Sequence, residues 1–441
     1  ECYFIFSFAM LERVVAPERV QLLNDCPARA GSEYVLYWIQ ANRRLDFNHG
    51  LAFAVEVANR LRLPVLVAEG LNRDRPYPSE RFDNFILDGV PDNAARAAEL
   101  GVGYEFSDQR GALYRWAAKA AIVVTDDFPT YIVRDHNSRI PGKIGTPYYV
   151  VDSSCIVPMA CFPKQEYAAY TFRPKISRLL DEHLHPVEIE PVEHTWRGPS
   201  AKVVAAKSTN GGRAAALKRL HEFLDHDLVR YAKYNREPSE HATSRLSSYL
   251  HFGHISAIEI ALAVRQRAAE EKLIVPEFLE QLIVRRELTF NFARYGPDPR
   301  SLTALPDWAQ KSLAKHADDP REWTYTCSQF EQAATHDALW NATQKELLRD
   351  GVIHGYYRMY WGKKIIEWSA THQDALDTMI ELHDRYALDG RDPNTYTNIL
   401  WCLGLHDRPW TERPIFGMIR YMNLAGMRRK TNVDVYIREM Q

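Results

Sequence analysis

The chain has little cysteine and none of it is grouped. Cys2, Cys26, Cys155, Cys161, Cys327 and Cys402 form no CxxC pair and no ligand spacing, which excludes a zinc or iron–sulfur framework and a disulfide scaffold. They read as reduced and mostly buried, and no metal is expected. No apolar run reaches the roughly 18 residues that a membrane-spanning helix needs, so no membrane partner is expected. The opening ECYFIFSFAM lacks a basic n-region and a small-residue cleavage site. Residues 1–9 are expected to be a leader outside the fold. The chain is expected in the cytoplasm, nucleoid-associated if bacterial, since no nuclear or organellar address is evident. Neither sign of charge dominates: 55 Lys and Arg stand against 57 Asp and Glu, a formal net charge of −2. That excludes a basic coat protein, and any nucleic-acid partner would have to be met by a local patch. There is no G-x-G-x-x-G after the first apolar run, no internal repeat and no low-complexity tract, so an ordinary dinucleotide fingerprint is absent.

What is present is core: 441 residues at 46 % hydrophobic can fill two or three domains. From 34 to about 155, short apolar runs (YVLYWI, LPVLVAEG, AAIVVTDD, TPYYVVDSS) alternate with helical patterns such as FNHGLAFAVEVANRLR. That alternation predicts a parallel sheet wrapped by helices, with ligands at the carboxyl ends of its strands. The stretch DEHLHPVEIEPVEHTWRGPS is polar and broken and reads as a linker. Beyond it the 3.6-residue period dominates, interrupted by loops at 294–305 and 388–394. The expected architecture is α/β plus all-α: a Rossmann-like α/β domain at 10–178, a linker at 179–212 and a helical domain at 213–441.

Within the helical part, THDALWNATQKELLRDGVIHGYYRMYWGKKIIEW carries Trp340, Trp361 and Trp368. Trp361 and Trp368 are seven apart, so on a helix they share a face about 10 Å apart along the axis. An isolated pair of that kind is ordinarily core. The neighbouring blocks give it another reading. YVLYWIQANRRLDFNHGLAFA, KQEYAAYTFRPKI, TSRLSSYLHFGHISA, FLEQLIVRREL, the Trp segment, LDGRDPN and IFGMIRYMN follow one another in the order found in the photolyase/cryptochrome superfamily. The chain resembles that superfamily from about residue 30 onward, and class II cyclobutane pyrimidine dimer (CPD) DNA photolyases most closely.

The resemblance implies FAD in the helical domain, fully reduced in the active state, and UV-damaged DNA with a flipped-out pyrimidine dimer as partner. It also implies a monomer. Thr243, Ser244, Arg245, Leu246 and Ser247, with the aromatic Tyr231, match the block that holds the FAD phosphates. Hydroxyls and backbone N–H groups before a helix suit an anion, although such clusters are commonly plain N-caps. Arg358 and Asp389 match a pair flanking the isoalloxazine ring, where a cation favours reduced anionic flavin; the same pair could be a buried structural salt bridge. Arg285, Asp392 and Asn394 fall in flavin-side blocks. Trp340, Trp361, Trp368 and Tyr325 match the electron-transfer aromatics. Trp401 matches the Trp that stacks on the lesion, and Lys363, Lys364, Arg420, Arg428, Arg429 and Lys430 supply rim charges for DNA. For the RRK run an ordinary solvated helix end is nearly as good a reading.

The chain departs from its relatives at the lesion. The usual ELIVRREL reads QLIVRREL, so Gln281 stands where a Glu hydrogen-bonds the dimer; it can donate and accept, but it carries no charge. His383 stands where an Asn faces flavin N5, and Thr395 replaces a Gly after DPN. No Trp lies between 273 and 306, so a second stacking indole is missing. A histidine beside the lesion suits proton transfer, which (6-4) photoproduct repair needs and dimer splitting does not. The expectation is CPD repair with possible additional (6-4) repair. His383 acting only as a hydrogen-bond donor or flavin redox tuner is the plainer reading. The competing function is a cryptochrome-like blue-light photoreceptor without repair; the sequence ends at VDVYIREMQ without a signalling tail, which favours repair. A second, antenna chromophore, deazaflavin or folate, is doubtful, because VDSSCIVP places Ser153 where relatives carry a His.

Overall fold

A computed structural model describes residues 14–199, 208 and 210–441. The expected leader at 1–9 lies outside the described residues. Packing divides the chain into two units that interleave along it. The first takes residues up to Pro163 together with Leu179–Arg219 and Tyr249–Arg265; the second takes Lys164–Arg178, Leu220–Ser248 and Gln266–Gln441. The KQEYAAYTFRPKI block therefore falls wholly in the second unit, while the polar stretch read as a linker belongs to the first.

The first unit is α/β. Its strands are β1 (Val20–Leu22), β2 (Tyr34–Ile39), β3 (Val65–Gly70), β4 (Gly103–Ser107), β5 (Ala120–Asp126) and β6 (Tyr148–Val151). They lie in the order β1-β6-β5-β2-β3-β4, parallel throughout except for β1 against β6. Strands β2 and β5 are buried along their whole length, as expected of apolar runs with both faces covered. Val35, Tyr37 and Ile39 enter one apolar cluster, and Tyr34, Leu36 and Trp38 enter another. This is the two-residue alternation of a strand. Helix α1 (His49–Leu61) connects β2 to β3, started by Asn48, whose side chain accepts from Leu51 N. Gly50 lets this helix sit close to the sheet, since a Cβ there would lie 2.8 Å from the Tyr37 ring.

The second unit is helical among its described residues. The helices that matter for the site are α2 (Arg286–Tyr295), α3 (Ala338–Asp350), α4 (Gly355–Trp368), α5 (His372–Tyr386) and α6 (Pro393–Cys402). A π-helical turn, Glu280–Arg285, leads into α2. Local chemistry sets the boundaries. Asp337 caps α3 and Gly351, at φ 72°, ends it. Thr371 and Asp374 form a capping box on α5. Asp392 caps α6 with Pro393 in its first turn. Gly362 lets α4 approach its neighbours, because a Cβ would lie 2.8 Å from Cys402 Sγ and 3.1 Å from Met379 Sδ. Trp340, Trp361, Tyr357 and Tyr360 are fully buried here. Each such ring contributes on the order of 4–6 kcal/mol of apolar burial before the entropy of ordering it. No described helix is long and apolar enough to cross a membrane.

Candidate functional site

The site grows from the junction of α4, α5 and the turn before α6, all in the helical unit. Arg358 Nη2 lies 3.0 and 3.2 Å from the two carboxylate oxygens of Asp389. Burial pushes the Asp389 carboxyl up, but Arg358, then His383 and a hydrogen bond from Ser247, hold it net below the usual carboxylate value. Thr395 donates its hydroxyl to Asp389 O at 2.6 Å. It therefore braces the turn that carries Asp389.

His383, on α5, is fully buried and stands edge-on to Trp361 at 5.4 Å. Neither of its ring nitrogens has a hydrogen-bond partner among the described residues, nor has Arg358 Nε. Burial first, and Arg358 second, bring the imidazole down to about 3, against the pull of Asp389. The ring is therefore neutral at physiological pH. That weighs against a histidine ready to act as general acid near neutrality. His354, which caps α4 through Nδ1, is likewise brought down to about 4 by burial and by Arg245 and Arg358, and its Nε2 has no described partner. Buried polar atoms without partners are rare and mark places where a further group completes the network.

From His383 a run of rings leads outward. Trp361 and Trp340 stack at 6.3 Å with planes 7° apart. Trp340 meets Trp368 at 6.3 Å, and Trp368 meets Tyr325 at 5.8 Å. The sequence spacing placed Trp361 and Trp368 on one face of α4; the structure adds that Trp340, from α3, stands between them. The indoles are fixed by their N–H groups: Trp340 Nε1 donates to Trp361 O at 3.0 Å, and Trp361 Nε1 to Gln344 Oε1 at 2.8 Å. Two further members went unrecognised in the sequence. His336 lies 4.8 Å from Trp368, and Trp323 stacks on His336 at 4.6 Å with its ring 44 % exposed. Trp323 sits two residues before Tyr325, and that adjacency was the available signal.

The phosphate-side residues are partly accounted for. Tyr231 is wedged edge-on against Phe223 and Phe278. Ser244 Oγ accepts from Leu246 N at 3.4 Å, and Leu246 is buried. Arg245 takes a positive φ of 52° and points to Glu346 at 3.5 Å. The helix that starts at Ser247 is only five residues long. Asp392 accepts from both the backbone and the side-chain nitrogen of Asn394; these two residues build the start of α6.

Arg285 stands apart from the other residues assigned to the flavin. Its guanidinium lies over Trp401 at 5.9 Å and pairs with Glu280 at 3.2 Å. The structure thus puts Arg285 beside Trp401. Gln281 is exposed at the head of the same turn. The expected lysine rim is corrected. Lys363 is fully buried with Nζ on Cys402 O at 2.5 Å, brought down to about 8 by burial. Lys364 is buried against Glu367 and the Trp368, Tyr360 and Tyr421 rings. On helix α4 both positions face inward. The exposed charge lies elsewhere: Arg408 and Arg420 flank the half-exposed Trp410 ring at 5.3 and 5.5 Å. Arg428, Arg429 and Lys430 are exposed at the end of a short helix, with Arg428 paired to Asp434.

Taken as a whole, the chain is similar to known proteins. The chain is 39 % identical over 443 residues to a deoxyribodipyrimidine photo-lyase of Methanothermobacter thermautotrophicus, covering 96 % of this chain and 98 % of that one. It is 38 % identical to the rice protein of the same name, over 95 % and 89 % of the two chains. The Potorous tridactylus protein is 34 % identical over 98 % and 86 %. The fold matches a class III photolyase from Agrobacterium tumefaciens with TM-score 0.69 over 93 % of this chain and 87 % of that one, at 16 % identity. No family model matches. The chain belongs to the deoxyribodipyrimidine photo-lyase family within the photolyase/cryptochrome superfamily.

Proposed function

We propose that this photolyase reverses cyclobutane pyrimidine dimers in UV-damaged DNA, acting as a monomer of the class II type. The observation that carries the reading is the run of rings from buried His383 through Trp361, Trp340 and Trp368 to exposed Trp323. When bound, reduced FAD supplies, on excitation, the electron that opens the cyclobutane ring and takes it back afterwards. The residues fit that group: His383 and Arg358 offer buried polar atoms in need of partners, and Arg358 gives the cationic side that an anionic ring requires. Arg358, Asp389, His383 and Ser247 would hold the flavin, with Tyr231 and the Thr243–Ser247 turn toward its phosphates. Trp361 would pass charge outward along the indoles.

Dimer capture falls to Trp401, stiffened by Arg285, and to Gln281, whose amide offers a donor and an acceptor to pyrimidine edges. Flipping the dimer costs a few kcal/mol, less for damaged bases than for intact ones. Trp410, with Arg408 and Arg420, provides the stacking surface and phosphate charge of the rim. The Ser153 hydroxyl is engaged by Gly50 N and Asn48, which weighs against its holding a second chromophore.

The second reading adds (6-4) photoproducts, and the observation favouring it is the imidazole of His383, with both nitrogens unengaged. Its neutrality weakens it as a proton source, so dimer repair is the primary assignment. The test is blue-light turnover by the photoreduced holoprotein on two oligonucleotides, one carrying each lesion. Restoration of the dimer alone is expected. Restoration of both, lost in a Gln281→Glu/His383→Asn double variant, would establish the broadened pocket. Restoration of neither, with FAD bound and photoreducible, would overturn repair in favour of a photoreceptor.

A further inference from the structure

At the outer end of the ring path, Tyr325 is tied to His336 in a way that the packing of the indoles does not require. The Tyr325 hydroxyl lies 2.8 Å from His336 Nδ1, and the backbone N–H of His336 donates to the same phenol oxygen at 3.0 Å. That oxygen is thus an acceptor from the backbone, and in the His336 tautomer protonated on Nε2 its own hydrogen points at Nδ1. Tyr325 is in turn locked to the last indole, its backbone N–H donating to Trp368 O at 2.9 Å. His336 lies between Trp368 and Trp323, at 4.8 and 4.6 Å, and is itself exposed.

We infer that His336 is the proton acceptor that makes Tyr325 the terminal electron donor of the path. The inference rests on the indole route proposed above and extends it by one chemical step. In that step an oxidised Trp368, formed when the indoles refill the flavin site, takes one electron from Tyr325. The phenol O–H bond breaks and its proton moves to His336 Nδ1. The products are neutral Trp368, a neutral tyrosyl radical and an imidazolium; charge is conserved, since the positive charge of the indole radical cation reappears on His336. A phenol that kept its proton on oxidation would be a strongly acidic cation, so the acceptor already in hydrogen-bond contact lowers the barrier. The imidazolium then lies close to both indoles, and like charge disfavours the return of the hole to Trp368 or its escape to Trp323. Because His336 is exposed, it can release the proton to water and leave the oxidising equivalent trapped on Tyr325. His336 thereby sets the direction of the path, while the indoles set its reach.

The experiment is laser-flash transient absorption, with electron paramagnetic resonance, on the FAD-loaded protein carrying His336→Gln. Glutamine keeps an acceptor for the phenol hydrogen but cannot take the proton, which separates the chemical role from a structural one. The expected result is that the tyrosyl radical forms about 100-fold more slowly or not at all, while the Trp radical cation lives longer and the initial Trp361-dependent flavin reduction keeps its rate. The wild type is expected to show a solvent deuterium isotope effect on the tyrosyl step, absent from the indole steps. An unchanged tyrosyl yield and rate in His336→Gln would overturn the inference, as would a wild type whose Tyr325→Phe variant gives the same radical spectrum. Flavin photoreduction unaltered by Trp361→Phe would overturn the indole route itself and this step with it.

Discussion

Two buried polar clusters, one in each unit, are built on opposite terms. At the carboxyl end of the parallel sheet, Asp126 accepts the backbone N–H groups of Gln40, Ala41 and Asn42 at 2.8, 2.7 and 3.1 Å, and also the Tyr37 hydroxyl and the Asn42 amide. Arg44, fully buried, spends its guanidinium on Asn42, Phe47, Ser153 and Gly253. In the helical unit, His383 keeps two idle nitrogens and Arg358 one. Ligands of an open parallel sheet ordinarily bind at the end that Asp126 occupies. Here the chain has filled that end with its own donors and acceptors, and the demand for an outside partner has moved to the helices. Exceptions in the first unit include His49 Nδ1 and His254 Nε2, single atoms on rings that burial holds neutral, and the amide oxygen of Asn84. They do not converge with a charged pair as His383 does.

The contrast breaks most sharply at its two carboxylates. Asp389→Asn is expected to cost about 3–5 kcal/mol, because it leaves the partly buried Arg358 without its counter-charge. Asp126→Asn is expected to cost at least about 2–3 kcal/mol through its lost N–H acceptors. The two should part when FAD is added. A ligand that binds only the folded state raises the unfolding midpoint. That rise should survive Asp126→Asn and shrink strongly in Asp389→Asn. Equal rises, measured by thermal unfolding with and without FAD, would show that the idle atoms of the helical unit are not a ligand site. The acid behaviour follows the depressed Asp389 carboxyl. Its contribution is present above the unfolded value of 3.8 and is lost as pH falls through the lower folded one.

What could be read without coordinates divides along the same line. The sheet was legible because YVLYWI and AAIVVTD are apolar on both faces, and no alternative element of that length fits them. The Trp cluster was legible in part, since Trp340, Trp361 and Trp368 lie within one segment with Tyr325 shortly before it, but its order depends on how α3 packs on α4. The inward turn of Lys363 and Lys364 was not legible. Adjacent lysines read as surface, and only the packing of α4 among its neighbours puts Nζ of Lys363 on a main-chain carbonyl. The facing of Arg285 was not legible for a related reason: the π-helical turn at Glu280–Arg285 shifts the direction of every side chain it carries relative to an α-helix. Interleaving of the units is invisible to any argument from periodicity, which sees helices and strands but not their companions.

A smaller effect isolates the histidine. His383 is buried neutral and brought down to about 3 from an ordinary 6.5, so the unfolded chain takes up a proton before the folded one does. Stability attributable to this group is intact above pH 6.5 and falls as the pH drops toward 3. The loss should be about 2 kcal/mol between pH 7 and pH 5. His383→Asn is expected to remove that increment from the acid limb while leaving the limb due to His254, His354 and His406 in place. Denaturant unfolding at the two pH values measures it. A variant with the wild-type slope would mean that His383 is solvated or paired in the folded protein, and it would then no longer differ from the satisfied cluster at the sheet.

The smallest effect on stability is expected where the chain is most exposed. Arg429→Gln and Lys430→Gln change side chains that face solvent at a helix end, and each should move stability by less than about 0.5 kcal/mol. If they are only a solvated terminus, DNA affinity will be equally indifferent. If they face phosphates, each substitution lowers the slope of log affinity against log salt concentration by about 1, on damaged and undamaged duplex alike. Arg420→Gln provides the comparison, since its guanidinium lies over the Trp410 ring and its loss should also weaken stacking. A salt slope lowered at Arg420 but not at 429 or 430 would confine the rim to Trp410 and its two arginines. The run RRK would then serve α-helix termination through the favourable placing of cations at a C-terminus.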